Sequence, residues 1–211
     1  MASDTYKTIR SFSTGLYKDK GSRFISFAIP LSDPEQVKPI IDKIRKEHHE
    51  ARHHCFAYMF GAKRLVWRTN DDGEPSGTAG KPILGQINSH GLTNILIVVS
   101  RYFGGTLLGV SGLINAYKSA TLSAIESAEI IEETLHEIHE ITYPYENMNF
   151  VMKILKEEGI DQSDQKFDLE CRIRISIRVS SSDKVLARLS RIDGLTHTYI
   201  GLVDGLLNKN K

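Results

Sequence analysis

Apolar residues recur along this chain with two different periods, and the changes of period mark its elements. Thr5 to Phe12 alternates weakly and reads as a first strand, followed by a turn-rich connection over Gly15 to Ser22. Phe24-Ile25-Ser26-Phe27-Ala28-Ile29 is almost continuously apolar, the pattern of a strand buried on both faces. Ser32-Asp33-Pro34-Glu35 is a helix start: a capping side chain, a proline in the first turn and an acid near the positive end of the dipole. Val37, Ile40, Ile41 and Ile44 then follow at helical spacing until His48-His49. Cys55 to Phe60 and Leu65-Val66-Trp67 form a predicted hairpin around Gly61-Ala62-Lys63. Ile83, Leu84 and Ile87 mark a short helix ending near Gly91. Ile95-Leu96-Ile97-Val98-Val99 reads as the central strand of a sheet. From Gly112 a longer helix is expected to carry Leu113, Ile114, Tyr117, Ala120, Thr121 and Ala124 inward.

Near Ile130 to Thr134 the character changes. His136 to Tyr143 alternates as a strand. Glu146 to Glu158 is a helix with Phe150, Val151, Ile154 and Leu155 as its apolar face and Gly159 as its stop. Ile160 to Lys166 is a weak strand. Leu169, Cys171, Ile173, Ile175, Ile177 and Val179 alternate strictly with polar residues, as half-burial on one sheet face requires. A helix from Asp183 to Gly194 and a strand over Thr196 to Ile200 complete the order β-α-β-β-α-β. Over roughly 75 residues that is the split βαβ arrangement of a ferredoxin-like domain. The expected class is α+β with two domains, 1–133 and 134–211.

Composition narrows function by exclusion. The 211 residues suit one large or two small domains. Lys plus Arg is 27 against Asp plus Glu 26, so bulk charge selects neither nucleic acid nor membrane, and recognition has to come from a local patch. Cys55 and Cys171 lie in apolar runs and read as buried free thiols in a reducing compartment. Met1 to Arg10 holds no apolar signal core, and the longest apolar run is too short to span a bilayer. A cytoplasmic location is expected, with Asn208 to Lys211 as a solvated tail.

Chemistry concentrates in two loops. Asn70-Asp71-Asp72-Gly73-Glu74-Pro75-Ser76-Gly77-Thr78-Ala79-Gly80 precedes Lys81 and the short helix, and Ser100-Arg101-Tyr102-Phe103-Gly104-Gly105-Thr106-Leu107-Leu108-Gly109 follows the central strand. Ten of the 16 glycines fall between Gly61 and Gly112, where positive φ or close approach is then expected. A Walker-type loop fails, because Pro75 stands where the first glycine belongs and Pro82 follows Gly80-Lys81. Ser76, Thr78, the amides of Gly77 to Gly80 and Lys81 still make an anion-attracting helix end. Asp71, Asp72 and Glu74 oppose bare phosphate; turn-making and capping is their preferred role over Mg²⁺ binding. Arg101 suits phosphate, and Tyr102 or Phe103 suits base stacking. An ion pair between Arg101 and one of the three acids is an equally good account. His49 and His53 have helical metal-ligand spacing but no HExxH signature, so no metal is assigned. His54 is the histidine expected to meet the glycine loops. No catalytic triad or nucleophile signature stands out, so no catalytic residue and no cofactor is assigned.

Three segments in order, His53-His54-Cys55-Phe56-Ala57-Tyr58, Asn70 to Gly80 and Arg101-Tyr102-Phe103-Gly104-Gly105 running on to Gly109, resemble the IMPACT/YigZ family in its bacterial two-domain form. The resemblance implies a first domain with the fold of domain 2 of ribosomal protein S5. It also implies a ferredoxin-like second domain similar to domain V of elongation factor G. Eukaryotic relatives regulate translation under amino-acid starvation by competing for a kinase activator. They carry an N-terminal partner-binding domain not expected here, so that pathway is not carried over. Many relatives have arginine where Met59 stands, which weakens phosphate contact by that strand.

The expected function is therefore a translation-associated regulator that binds RNA or the ribosome. The candidate ligand-binding residues are His54, Asp71, Asp72, Glu74, Ser76, Thr78, Lys81, Arg101, Tyr102, Gly104 and Gly105. One alternative is an enzyme acting on a nucleotide-like or phosphorylated small molecule at the same loops. Another is a protein-interaction module of a stress-response pathway, using the sheet of the second domain. No membrane partner is expected.

Overall fold

The computed structural model describes residues 4–204, so the expected C-terminal tail lies outside the described residues. The chain divides into two compact units, one of residues 6–132 and one of residues 1–5 with 133–211. The architecture is mixed α/β.

In the larger unit, β2 (Ser13–Asp19), β3 (Ser22–Pro30), β4 (His53–Phe60), β5 (Val66–Asn70) and β6 (Ile95–Tyr102) form one sheet in the order β2-β3-β6-β4-β5; β1 (Thr5–Ile9) is not part of it. Every pairing in this sheet is antiparallel. The unbroken apolar run of β6 has a direct cause: this strand is central and covered on both sides. Leu96 and Val98 pack with Val37, Ile41 and Ile44 of α1 (Val37–Glu47). Ile95, Ile97 and Val99 pack on the opposite face with Ile83 and Ile87 of α2 (Gly80–Ser89) and Leu113, Tyr117 and Ala120 of α3 (Gly109–Glu126). Asp33 caps the turn of 3-10 helix that leads into α1, its carboxylate accepting from the Glu35 amide at 2.9 Å. Ile114 is 39% exposed and belongs to the outer face of α3, with Ala116 buried in its place.

The expected connection over Gly15 to Ser22 is instead β2 and a two-residue turn. Lys20 and Gly21 both have positive φ, 43° and 80°, as the tight hairpin turn joining two right-twisted strands requires. Gly15 is a strand residue whose missing side chain admits α3: a Cβ there would lie 2.3 Å from the Ala124 backbone nitrogen. The glycine marks close approach, not a turn.

In the other unit, β7 (Ile130–Pro144), α4 (Met148–Glu157), β8 (Asp161–Phe167), β9 (Glu170–Arg178), α5 (Val179–Leu189) and β10 (Thr196–Asp204) follow in sequence, and the sheet runs β10-β7-β9-β8. Cys171, Ile173, Ile175 and Ile177 alternate inward against Val151, Leu155, Val185 and Leu189. Both cysteines are free and buried. The alternation stops there: Leu169 is 95% exposed, and Val179 opens α5 four residues before the expected start. The Asp4 carboxylate explains the early start, because it accepts the Ser180 amide at 3.0 Å and pairs with Arg178. No local sequence signal marks a capping group so distant in the chain. Phe150, expected inside, is largely exposed.

Candidate functional site

Asp71 organises the first loop. Its Oδ2 accepts the Gly77 amide at 2.9 Å, and its Oδ1 accepts the Ala79 and Gly80 amides at 3.0 and 2.8 Å. These are the donors at the start of α2 that the sequence suggested for an external anion. The protein's own carboxylate takes that place. Burial pushes the Asp71 carboxyl up, but the amides of Gly77, Gly80 and Ala79 outweigh it and hold the group below its ordinary value. Asp72, at φ 42°, makes a second internal set. Its amide donates to Asn70 Oδ1 at 2.7 Å, its Oδ2 accepts the His54 amide at 2.7 Å, and its Oδ1 pairs with Arg45. Capping and turn-making thus account for both acids.

Glu74 turns inward, its side chain 3% exposed. Its Oε1 accepts from Arg101 Nη1 at 2.7 Å and from the Tyr117 hydroxyl at 2.8 Å. Of the two accounts of Arg101, the internal ion pair holds. It joins the two loops, and with the Arg101 side chain 7% exposed both charges are out of water. Cys55 completes the cluster, with Sγ 3.0 Å from the Asp71 carbonyl oxygen and 3.2 Å from the Tyr117 hydroxyl. Burial pushes the Cys55 thiol and the Tyr117 hydroxyl well above their ordinary values, which favours the protonated form of both.

Strand periodicity separates residues that the sequence grouped together. Arg101 and its register partner His53 project to the α2 and α3 side. His53 Nδ1 lies 2.8 Å from the Asp72 carbonyl oxygen, and its Nε2 is 4.0 Å from Glu74. His54 and Tyr102 project to the α1 side. His54 Nδ1 sits 2.8 Å from Ser100 Oγ, and Tyr102 OH sits 2.8 Å from His48 Nδ1. His54 therefore touches the first loop through its backbone alone, and its side chain is absent from the loop surface. Burial holds its imidazole below the ordinary value.

The remaining candidates are dispersed. Thr78 is buried and donates to the Pro75 carbonyl at 2.7 Å, while Ser76 and Lys81 are exposed. Gly104 lets two backbones touch: a Cβ there would fall 1.9 Å from Gly21 C, and its amide donates to Ser22 Oγ. Gly105 has φ 88°, and a Cβ there meets open space within 4 Å. Met59 is core, packed among the α2 and α3 contacts. His49 lies past the end of α1 and His53 in β4, so their spacing is not helical. Among the described residues, no group of three or more His, Cys, Asp or Glu is placed to hold a metal.

Beside the Glu74–Arg101 pair is a cavity of about 350 Å³, bounded by Arg52, His53, Phe103, Leu107 and Leu113. Arg52, which lies outside the glycine loops, places its guanidinium 5.0 Å from the Phe103 ring centroid. At the same end of the sheet Arg23 lies 4.7 Å over Tyr102. Both arginines are exposed, and among the described residues neither forms an ion pair. Arg23, Arg52, His53 and Tyr117 are the residues that loop composition did not reveal; the period of two in β4 and β6 is the signal that finds His53. A larger cleft of about 510 Å³ on the other unit includes Arg188, already committed to Glu157 and Glu158. Among the described residues, no helix is long and apolar enough to cross a membrane.

The sequence profile of the Impact N-terminal domain matches residues 20–125. The chain is 40% identical over 134 residues to IMPACT family member YigZ of Escherichia coli, covering 58% of this chain and 65% of that protein. It is 37% identical over 136 residues to IMPACT family member YvyE of Bacillus subtilis, covering 64% and 63%. The matches thus span just under two thirds of both relatives. A crystal structure of a hypothetical protein superposes over 94% of this chain and 98% of its own, with a TM-score of 0.73 at 28% identity. The matched profile takes in both glycine-rich loops and the buried pair that joins them, and the chain belongs to the IMPACT family.

Proposed function

We propose that this protein is a translation-associated regulator that binds RNA or the ribosome at the end of the sheet where β3, β4 and β6 meet the second glycine loop. The observation that carries this is a pair of cation–aromatic contacts made by exposed arginines, Arg23 on half-buried Tyr102 and Arg52 on half-buried Phe103. Aromatic faces accept bases, and unpaired guanidiniums accept backbone phosphates, without sequence preference. The glycine loops shape this surface rather than cradling phosphate themselves. Arg101 is not assigned as a phosphate contact in this reading, because it pairs with Glu74 in the interior. We further assign residues 1–133 to an S5 domain 2-like fold and residues 134–211 to a ferredoxin-like, elongation factor G domain V-like fold. The sheet order β10-β7-β9-β8 supports the second assignment. A protein partner on that second sheet has less support, because Arg172, Arg174 and Arg178 already face Glu140, Asp164 and Asp4.

Salt-titrated anisotropy with single-stranded RNA, alongside ribosome co-sedimentation, tests this function. Arg23→Ala and Arg52→Ala should each lower the slope of log affinity against log salt by about 0.7. Phe103→Ala should weaken binding by about 1–3 kcal/mol. Slopes unchanged in both arginine variants would exclude this surface.

A further inference from the structure

We propose that the open edge of β5 takes up an acidic, extended segment of a partner protein as an added strand, with one of its apolar side chains seated beside Trp67. β5 is the last strand of its sheet: its inner edge pairs with β4, and among the described residues no strand pairs with its outer edge. Sheet edges are ordinarily kept from pairing by charge, proline or a bulge. Here Leu65, Val66 and Trp67 stand in succession at 77%, 51% and 56% exposure. The turn that presents them is braced. The Gly61 amide donates to Asn94 Oδ1 at 2.9 Å, the Gly61 carbonyl accepts from the Thr93 hydroxyl at 2.7 Å, and Arg64 Nη2 donates to Asn88 Oδ1 at 2.6 Å. The apolar side chains are therefore held out in water on a fixed support, and docking there needs little ordering of this chain. Register sets Val66 opposite Phe60 on the α1 side and Trp67 opposite Met59 on the α2 side. An added strand meets apolar surface on both of its faces. On the α2 side Met59, Trp67 and Leu84 border a cavity of about 340 Å³, room for a side chain.

Charge sets the chemistry of the partner. Lys63, Arg64 and Arg68 place three cations within one short stretch, and among the described residues none of them forms an ion pair. A second copy is the wrong occupant, since pairing β5 with β5 sets these like charges against one another. RNA is a poor match as well. Leu65 and Val66 offer no ring for a base, and the open N–H and C=O groups of a strand edge are matched by another strand. A flat bilayer cannot fill the cavity between β5 and α2. An acidic peptide answers each feature: its backbone extends the ladder, an apolar side chain enters the cavity, and its carboxylates meet Lys63, Arg64 and Arg68. Tryptophan and arginine are also the residues that most often anchor a protein interface. This edge is separate from the proposed RNA surface. β4 runs from His53, beside that surface, to Phe60, beside this turn, a span of about 23 Å at the usual rise per strand residue. The inference therefore stands whether or not RNA binds.

Trp67 is the chain's single tryptophan, so its emission reports on this edge directly. The test is titration of the full chain with the peptide mixture acetyl-Glu-X-Glu-X-Glu-X-Glu-amide, where X is Leu, Ile, Val or Phe in equal parts. The same mixture with Lys in place of Glu, single-stranded RNA and phosphatidylserine vesicles are the other arms. The acidic mixture should shift the emission to the blue and saturate, and the lysine mixture should bind at least about tenfold more weakly. The β5 amides that face away from β4 should become protected from hydrogen exchange. Arg68 is exposed, so Arg68→Glu should keep the fold while weakening the acidic mixture at least about tenfold. Trp67→Ala, followed through a fluorescein label on the peptide, should weaken it as much. No saturable shift, equal binding of the two mixtures, no protection of the β5 amides, or unchanged binding in both variants overturns the proposal. A tighter response of Trp67 to RNA or to vesicles than to the acidic mixture also overturns it. Arg23→Ala should leave peptide binding intact even where it weakens RNA binding, and peptide binding lost in that variant counts against a separate site.

Discussion

Asp71→Asn tests whether the first loop is closed on itself. In the wild type one carboxylate holds three amides, at 2.8, 2.9 and 3.0 Å, at the start of α2. The amide side chain keeps one acceptor oxygen, which still serves Ala79 and Gly80. It turns an NH₂ towards the Gly77 amide, so one charge-assisted bond is lost, worth about 1.5–3 kcal/mol. Removing the charge from the helix end costs about 0.3–1 kcal/mol more. The expected loss is therefore about 2–4 kcal/mol, or roughly 30- to 1000-fold in a local opening equilibrium. Because the chain has two units, one global unfolding midpoint is the wrong measure. Native-state hydrogen exchange at Ala79, Gly80 and the first turn of α2 reads the effect where it arises. There is also an acid signature. The folded Asp71 carboxyl lies below its ordinary 3.8, so its stabilisation is fully present above that pH and is lost as pH falls through the folded value. Asp71→Asn should lack that limb. Exchange rates within about threefold of wild type, below 1 kcal/mol, would show that these amides do not depend on Asp71.

Two further outcomes follow from the buried groups. Glu74→Gln leaves Arg101 charged and unpaired in the interior and should cost about 3–5 kcal/mol in urea unfolding, whereas Glu74→Leu combined with Arg101→Met should recover most of the loss. Losses in Glu74→Leu and Arg101→Met that add up in the double variant would refute the pair as a coupled unit. His54 is held neutral by burial, with the attraction of Asp72 opposing and Arg45, His48 and His53 reinforcing the shift. Its folded value lies below 6.5, so the unfolded chain takes up the proton first and stability falls as pH drops below about 6.5. His136 shifts the same way, so the difference between wild type and His54→Asn is the quantity to measure. A shallower decline is expected in the variant, and parallel declines would remove His54 as a source.

Legibility followed the range of the interactions. Strands and helices built from local periodicity were readable: β6 by its continuous apolar run, β9 by its alternation, α1 by its cap. Features made by distant residues were not. Gly15 reads as a turn in the chain, yet what it accommodates is the backbone near Ala124. The start of α5 is set by Asp4, whose carboxylate accepts the Ser180 amide. In the site the loss was of another kind. The two loops were located by composition, and the Arg101–acid pair was foreseen without choosing among Asp71, Asp72 and Glu74. Grouping His54 with Arg101 ignored the fact that neighbouring strand positions face opposite sides. Counting parity back from the Arg101–His53 register pair puts His53 on the Glu74 side and sends His54 to Ser100.

The same parity changes what the acidic, glycine-rich loop means. Three carboxylates in four residues look like an invitation to a cation, or a barrier to phosphate. Each in fact meets a partner within the larger unit: Asp71 the amides of α2, Asp72 Arg45 and the His54 amide, Glu74 Arg101 and Tyr117. A loop so fully committed has little left for a ligand, and its bonds fix the position of Glu74. Glu74 in turn holds Arg101, and that buried pair ties the two glycine-rich loops together. The recognisable motif is thus the support, and the exposed guanidiniums of Arg23 and Arg52 lie one layer away, on residues whose types alone carried no signal. If the buried pair is what fixes the second loop, Glu74→Gln should weaken RNA binding along with stability. RNA affinity unaltered in a Glu74→Gln protein that still folds would break that link between the loop and the surface.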